Sequence, residues 1–355
     1  MAFELGIYHF GELSPDPVTH RPPTPGVRLR ELIEQAKVAD EAGLDIFAVG
    51  EHHRGDFAVS TPAVVLAAMA ENTRNIKLSS AVTVLSSDDP VRVFQQFATL
   101  DLISGGRAEI IAGRGSYTES FPLFGYDLNN YSELFADKLD LLLRLREENP
   151  ITWQGTTRPA LRGADVNPQP ERELPVWVAV GGTPASVVRA AQLNLPLALA
   201  IIGGSYRQFA PFVDLYRQAA AQFGHDPAKL KVSISSPGFL AATHREAIDI
   251  SHPYFESGWM ANHHQRGRGV PMPLAAYEAQ STVAGAFFLG SPQEVIDKIL
   301  AQYELFHHDR MTIQMGFGNV AQKEMLTSIE LLGTEVAPVV RKEIASRQEA
   351  AGGQR

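Results

Sequence analysis

One pattern limits what this chain can become. A short run of aliphatic residues gives way to a stretch with apolar residues at helical spacing, and the alternation recurs along all 355 residues. The apolar runs fall at 3–10, 44–49, 76–85, 107–112, 175–180, 197–202, 230–240 and 310–315. Runs as continuous as residues 46–49, apolar on both faces, are what parallel strands covered by helices require. Between them, residues 27–42 carry Leu29, Leu32, Ile33 and Ala36 at i, i+3, i+4 and i+7, one buried stripe of a helix. Thr61-Pro62, Asp89-Pro90 and Thr183-Pro184 repeat a cap-then-proline start, and Ser291 with Glu294 forms a capping box.

Eight strand–helix units without a Pro/Gly/Ser-rich linker predict a (β/α)8 TIM barrel, one domain over residues 1–355. An open doubly wound sheet stays in play, because strand order cannot be read from spacing. Residues 151–173 read as an irregular excursion and 319–335 as the final helix, with a frayed tail from 350. Residues 241–273, rich in His, Gly and Arg and poor in periodicity, read as an extended loop after strand 7.

Composition excludes much. There is no cysteine, so disulfides, iron–sulfur ligation, thiolate zinc and thiol catalysis are out. A formal charge of −9 without a Lys/Arg cluster argues against nucleic acid and anionic membranes. The N-terminus lacks a basic region followed by an apolar core, and no apolar run approaches the roughly 18 residues of a membrane span. A soluble, cytoplasmic protein is the expectation.

In α/β folds ligands bind at the C-terminal ends of the strands. Here those ends would bring Tyr8-His9, Glu51-His52-His53, Ser80-Ala81, Arg114, Gly181-Gly182-Thr183, Gly203-Gly204 and Gly316 to one rim. Arg114 stands between two glycines and offers a fork of donors to a phosphate or carboxylate. Gly181-Gly182-Thr183-Pro184-Ala185-Ser186 lets backbone approach a ligand just before a helix start, an anion site with Thr183 and Ser186 hydroxyls in reach. Plainer readings compete. Thr183 can be an N-cap alone, Arg114 can pair with a buried Glu109, and His263 and His264 read as solvated. No Gly-x-Ser-x-Gly elbow, Walker loop, dinucleotide fingerprint or His-Glu-x-x-His pattern occurs.

The motifs, in this order and spacing, resemble the bacterial luciferase-like, flavin-dependent monooxygenases over about residues 3–335. They are Ala-Gly-Leu-Asp-Ile-Phe-Ala-Val-Gly-Glu-His-His at 42–53, Ala-Val-Thr-Val-Leu at 81–85 with Asp-Pro-Val-Arg at 89–92, and Leu-Asp-Leu-Ile-Ser-Gly-Gly-Arg at 100–107. Gly-Arg-Gly at 113–115, Val-Gly-Gly-Thr-Pro-Ala-Ser at 180–186 and Leu-Gly-Ser-Pro-Gln-Glu-Val at 289–295 complete the set.

The resemblance implies a (β/α)8 barrel, a homo-oligomer built on dimers, and reduced FMN at the rim, delivered by a separate flavin reductase and used with O2 on a small organic substrate. It implies that His52 is the histidine beside the flavin and Arg114 the arginine on its phosphate. Gly181, Gly182, Thr183 and Ser186 would form the phosphate turn, although luciferase itself has an acid in place of Gly182. Ser80 and Ala81 would flank the ring, their peptide bond being where the family often has a non-proline cis bond. The 241–273 segment matches a mobile lid. Gly113 stands where luciferase has its reactive cysteine, so light emission is not implied. Three alternatives accompany this reading: hydride transfer with a deazaflavin, flavin binding without catalysis, and a divalent-metal hydrolase using His9, Glu51, His52 and His53.

Overall fold

The computed structural model describes residues 2–352 apart from 116 and 266–270, and only the backbone of 261–265, 351 and 352. Eight strands form its centre: β1 (Glu4–His9), β2 (Ile46–Val49), β3 (Lys77–Ser80), β4 (Ala108–Gly113), β5 (Val176–Val180), β6 (Leu197–Ala200), β7 (Val232–Leu240) and β8 (Arg310–Gln314). Each pairs in parallel with the next, and β8 pairs with β1 through Glu4↔Arg310 to Tyr8↔Gln314, which closes the barrel. The open-sheet alternative is thereby excluded. Strand β2 is buried at all four positions and β4 at all six, as strands between a filled interior and a helical shell must be.

Ten helices bear on the site: α1 (Pro25–Glu41), α2 (Pro62–Asn72), α3 (Pro90–Ser104), α4 (Tyr131–Leu145), α5 (Pro184–Gln192), α6 (Ala210–Gln222), α7 (His244–Gln265), α8 (Leu274–Ser281), α9 (Pro292–Phe306) and α10 (Gln322–Leu331). Their starts follow the sequence signals unevenly. Asp89 caps α3 by accepting from the N–H groups of Val91 and Arg92, and Ser291 with Glu294 makes the capping box of α9. Thr61 and Thr183 stand at the N-cap positions of α2 and α5 but make no side-chain cap bond.

Three expectations need correction. Residues 241–273 are not a loop: α7 occupies most of them. Its buried face, Ala247, Ile248, Ser251 and Phe255, includes a serine that dilutes the apolar signal, bonded to the Tyr277 hydroxyl at 2.8 Å. Residues 151–173 contain an antiparallel hairpin, Ile151–Trp153 with Leu161–Ala164, moored to α4 by Trp153 Nε1 donating to Asp140 at 2.7 Å. The last helix does not stop at 335. After α10 the chain takes a wide turn at Leu332–Val336 and continues as α11 (Ala337–Gly352), the wider turn accommodating Pro338, which has no N–H to give.

The N-terminal end of the barrel interior is filled by charge. Arg310, 1% exposed, donates to Glu4 at 2.6 Å and to both Glu109 oxygens at 2.8 and 3.2 Å. Lys77 reaches the same two acids, and Trp177 lies 4.3 Å under the guanidinium. Glu109 is thus engaged at the barrel's base and does not pair with Arg114.

Candidate active site

At the opposite end, the strand ends form a rim with two chemically distinct corners. The first grows from β2. Glu51, His52 and His53 leave the strand together, and buried Glu51 accepts from His53 Nε2 at 2.7 Å and from the Val84 N–H at 3.1 Å. Glu51 therefore ties the corner to the Thr83–Val84 segment, which pairs with β4. Between β3 and that segment, the cis peptide is Ala81–Val82, one bond later than expected. Ser80 is fully buried, its hydroxyl bonded to the backbone N–H and carbonyl of Ile111, whereas Ala81 is half-buried.

His52 is 8% exposed and boxed by rings: Phe57 and Tyr117 at 4.3 Å and Phe10 at 4.9 Å between centroids. Gly50 makes room for Phe10, since a Cβ there would meet the Phe10 ring at 2.0 Å. Nδ1 of His52 lies 3.3 Å from Glu119 Oε1, which also accepts from the His53 N–H at 3.5 Å. Burial works to raise Glu119, but the His52 bond and backbone donors outweigh it and hold its carboxyl below the ordinary value. An ionised Glu119 selects the tautomer with a proton on Nδ1, leaving Nε2 as the working nitrogen. Sequence reasoning missed Glu119, which lies 67 residues away beyond β4. Phe10 and Phe57 thus line this corner, whereas Trp259 of α7 stacks on Phe255 of the same helix, 5.7 Å away.

The second corner joins β4 to the start of α5. Arg114 Nη2 donates to the Thr183 hydroxyl at 3.4 Å, and its guanidinium lies over Tyr131 at 5.1 Å. Gly182 takes φ +116°, open to glycine, and carries the turn into Thr183. Ser186 is buried, its N–H given to the Thr183 carbonyl at 3.0 Å. One turn further, Arg189 lies over Phe135, a turn beyond Tyr131 on α4, at 5.6 Å. Burial and the neighbouring Arg114 charge both depress the Arg189 guanidinium, and its buried Nη1 has no hydrogen-bond partner. Two arginines close enough to repel one another, one of them with an unfilled buried donor, make a corner suited to an anion. A flavin phosphate fits that corner. Arg189 escaped sequence reasoning because it reads as an outward helix residue.

Over the rim between β1 and β8 lies α7. Tyr254 donates to Asp16 at 3.4 Å, Ser257 to the Pro15 carbonyl at 2.7 Å, and Phe255 stacks on Phe317 at 4.9 Å. The side chains of His263 and His264 fall outside the described residues. No group of three or more His, Cys, Asp or Glu side chains is placed to share a metal among the described residues, so the His9–Glu51–His52–His53 hydrolase site does not assemble. No helix among them is long and apolar enough to cross a membrane.

The family model described as luciferase-like monooxygenase matches residues 3–309. The chain belongs to that family. Among its relatives is the oxygenase component of the flavin-dependent trigonelline monooxygenase of Acinetobacter baylyi, 23% identical over 343 residues, covering 90% of this chain and 92% of that protein. Among solved structures, the oxygenating constituent of 3,6-diketocamphane monooxygenase from Pseudomonas putida, in complex with FMN, superposes with a TM-score of 0.77 at 20% identity, over 95% of this chain and 99% of that one. An F420-dependent secondary alcohol dehydrogenase shares the fold at a TM-score of 0.71 and 17% identity, over 96% and 99%. The luciferase-like family is flavin-dependent and relatives such as the trigonelline enzyme are monooxygenases, so the chain is placed among flavin-dependent oxidoreductases.

Proposed function

We propose that this protein is the oxygenase component of a two-component monooxygenase. It takes reduced FMN from a separate reductase and uses O2 to oxygenate a small, largely apolar organic substrate. The observation that carries this reading is the paired-arginine corner, with the unfilled donor of Arg189, on the same rim as the ring-lined His52. Arg114, Arg189, Thr183, Ser186 and the free backbone of Gly181 and Gly182 would hold the FMN phosphate. Ala81, beside the barrel mouth, would meet the isoalloxazine; Ser80 supports it by fixing β3 to β4.

Bound reduced flavin supplies the electrons and the site at which O2 reacts. The chain's part is to orient, to exclude water and to manage one proton. Phe10, Phe57 and Tyr117 remove water from around His52. Glu119 holds Nδ1–H, which leaves Nε2 as the nitrogen that accepts or returns a proton. Phe10 and Phe57 also give an apolar substrate a wall. Titration with reduced and oxidised FMN, followed by oxygen uptake with candidate substrates, tests the proposal; no affinity for either form would end it.

A second reading rests on the shared fold of the F420-dependent dehydrogenase. In it the same arginine corner would hold a deazaflavin phosphate, and His52 would serve hydride transfer. The absorbance and fluorescence of the cofactor co-purifying with the protein separate the two, and oxygen uptake by the flavin-loaded protein separates catalysis from flavin binding alone.

A further inference from the structure

The chain leaving β2 turns back on itself directly after His52. The His52 N–H donates to the Val59 carbonyl at 3.0 Å and the Phe57 N–H to the Arg54 carbonyl at 3.2 Å, with exposed Gly55 inside the turn. A second seam ties this turn to the exit of β1: the Leu13 N–H donates to the Asp56 carbonyl and the Ala58 N–H to the Gly11 carbonyl, both at 2.8 Å. The turn carries a charge pair that the flavin reading does not use. Arg54 donates Nε to Asp56 Oδ1 at 3.0 Å and Nη2 to Oδ2, a fork closed on both carboxylate oxygens. The two side chains are only 12% and 16% exposed, so water competes little for either partner.

The guanidinium so held lies over two rings, 5.4 Å from the centre of Phe57 and 5.0 Å from that of Tyr117. Both separations fall inside the roughly 6 Å within which a cation is drawn to a ring face. These are the two rings that stand 4.3 Å from His52. Phe57 belongs to the same turn as Arg54. Tyr117 does not: it comes from the segment after β4, two residues before Glu119, and its ring meets Phe57 edge-on at 6.5 Å. Arg54 therefore bridges the two segments whose side chains enclose His52.

We propose that Arg54, held by Asp56, is a positioning residue that keeps Tyr117 closed on His52 and so keeps water from the histidine. Asp56 is itself fixed, because its carbonyl is bound by the Leu13 N–H, so the guanidinium is presented to Tyr117 at a set place. An arginine suits this task because its planar fork can grip a carboxylate while its face rests on a ring. The closure stands on these contacts alone. Its bearing on turnover rests on the flavin reading, in which His52 moves a proton with water excluded.

Diethyl pyrocarbonate modifies accessible histidines, and mass spectrometry of the full-length, flavin-free protein reads His52 separately from its neighbours. In Arg54→Ala the His52 rate should rise about ten-fold, the worth of a cation over two partly buried rings, while buried His308 stays unreactive. An unchanged His52 rate would overturn the role. So would a rise shared by His308, which would make Arg54 a general prop of the fold. Arg54→Lys, which keeps a cation, should hold the rate within about three-fold of wild type; Arg54→Met, which keeps only an apolar stem, should react as Arg54→Ala does. Protection by methionine would mean that apolar cover and not charge closes the box, and would overturn the proposal. FMN affinity should be the same in Arg54→Ala and wild type, because the phosphate corner lies on other strands; a lost affinity would make Arg54 a flavin-binding residue instead. With reduced FMN, oxygen uptake should rank the four proteins as His52 protection does, and a different ranking would break the link to turnover. If His52 protection behaves as stated but wild type binds no flavin, the proposed function fails and the Arg54 closure stands.

Discussion

The two ends of the barrel interior treat charge in opposite ways. At the N-terminal end, Arg310 and Lys77 are matched by Glu4 and Glu109, with Trp177 beneath the guanidinium. At the C-terminal end, Arg114 donates to the Thr183 hydroxyl and to no carboxylate among the described residues, and Arg189 keeps an empty buried donor. The closed network holds the barrel shut. The open one leaves charge available for something the chain does not contain. The division matches the general rule that one face of such barrels carries stability and the other chemistry.

The largest effect that could break this contrast is Arg310→Ala. It leaves Glu4 and Glu109 without their buried partner, at a cost of about 3–5 kcal/mol. Urea unfolding of this variant should show that loss; wild-type stability would mean that the base is not what holds the barrel.

Acid should attack the same end. His308, fully buried just before β8, is lowered to about 3 by burial, by His307 and by Arg217. Its folded value lies below its unfolded one, so the stability it contributes is present above pH 6.5 and is lost as pH falls toward 3. Thermal melts across that window should decline for wild type and decline less for His308→Phe.

At the open end, His52→Ala should lower turnover about 100-fold, within the range for a lost proton-transfer group, while FMN affinity changes little. Collapsed affinity would move His52 from chemistry to binding. Arg114→Ala should do the reverse, weakening FMN by about 10- to 100-fold, the worth of a hydrogen bond to a charged group, with the melting temperature unmoved. Riboflavin, which lacks the phosphate, should bind wild type and variant alike. The smallest effect is expected from Thr183→Ala, a few-fold loss of FMN affinity with less than about 0.5 kcal/mol of stability, because its hydroxyl makes no cap bond. A larger stability loss would restore the plain capping reading of Thr183.

The barrel was legible because its strands are apolar on both faces and its helices announce their starts, as at Asp89 and Ser291. Strand ends then indicated the rim, and Arg114 and Thr183 do meet. What escaped depends on contacts between distant segments. Glu119 reaches His52 only because the segment after β4 folds back, and Arg189 becomes part of a site only when α5 meets α4. Helix α7 was hidden by Ser251 and Pro253, a polar residue and a helix breaker on a segment whose packing partner, Phe317, is far along the chain. The cis bond, one position off, turns on local backbone geometry that residue types do not encode.

Closure of the barrel has one more consequence. With β8 hydrogen-bonded to β1, none of the eight strands presents a bare row of N–H and C=O groups onto which another chain could build. Unpaired edges survive in the two-stranded hairpin at 151–164, and there the outer strand carries exposed Arg162 beside Gly163, whose φ of +58° interrupts the extended ladder. At the high concentrations of a crowded compartment, a neighbouring molecule would find that edge charged and broken, a poor template for sheet growth and aggregation.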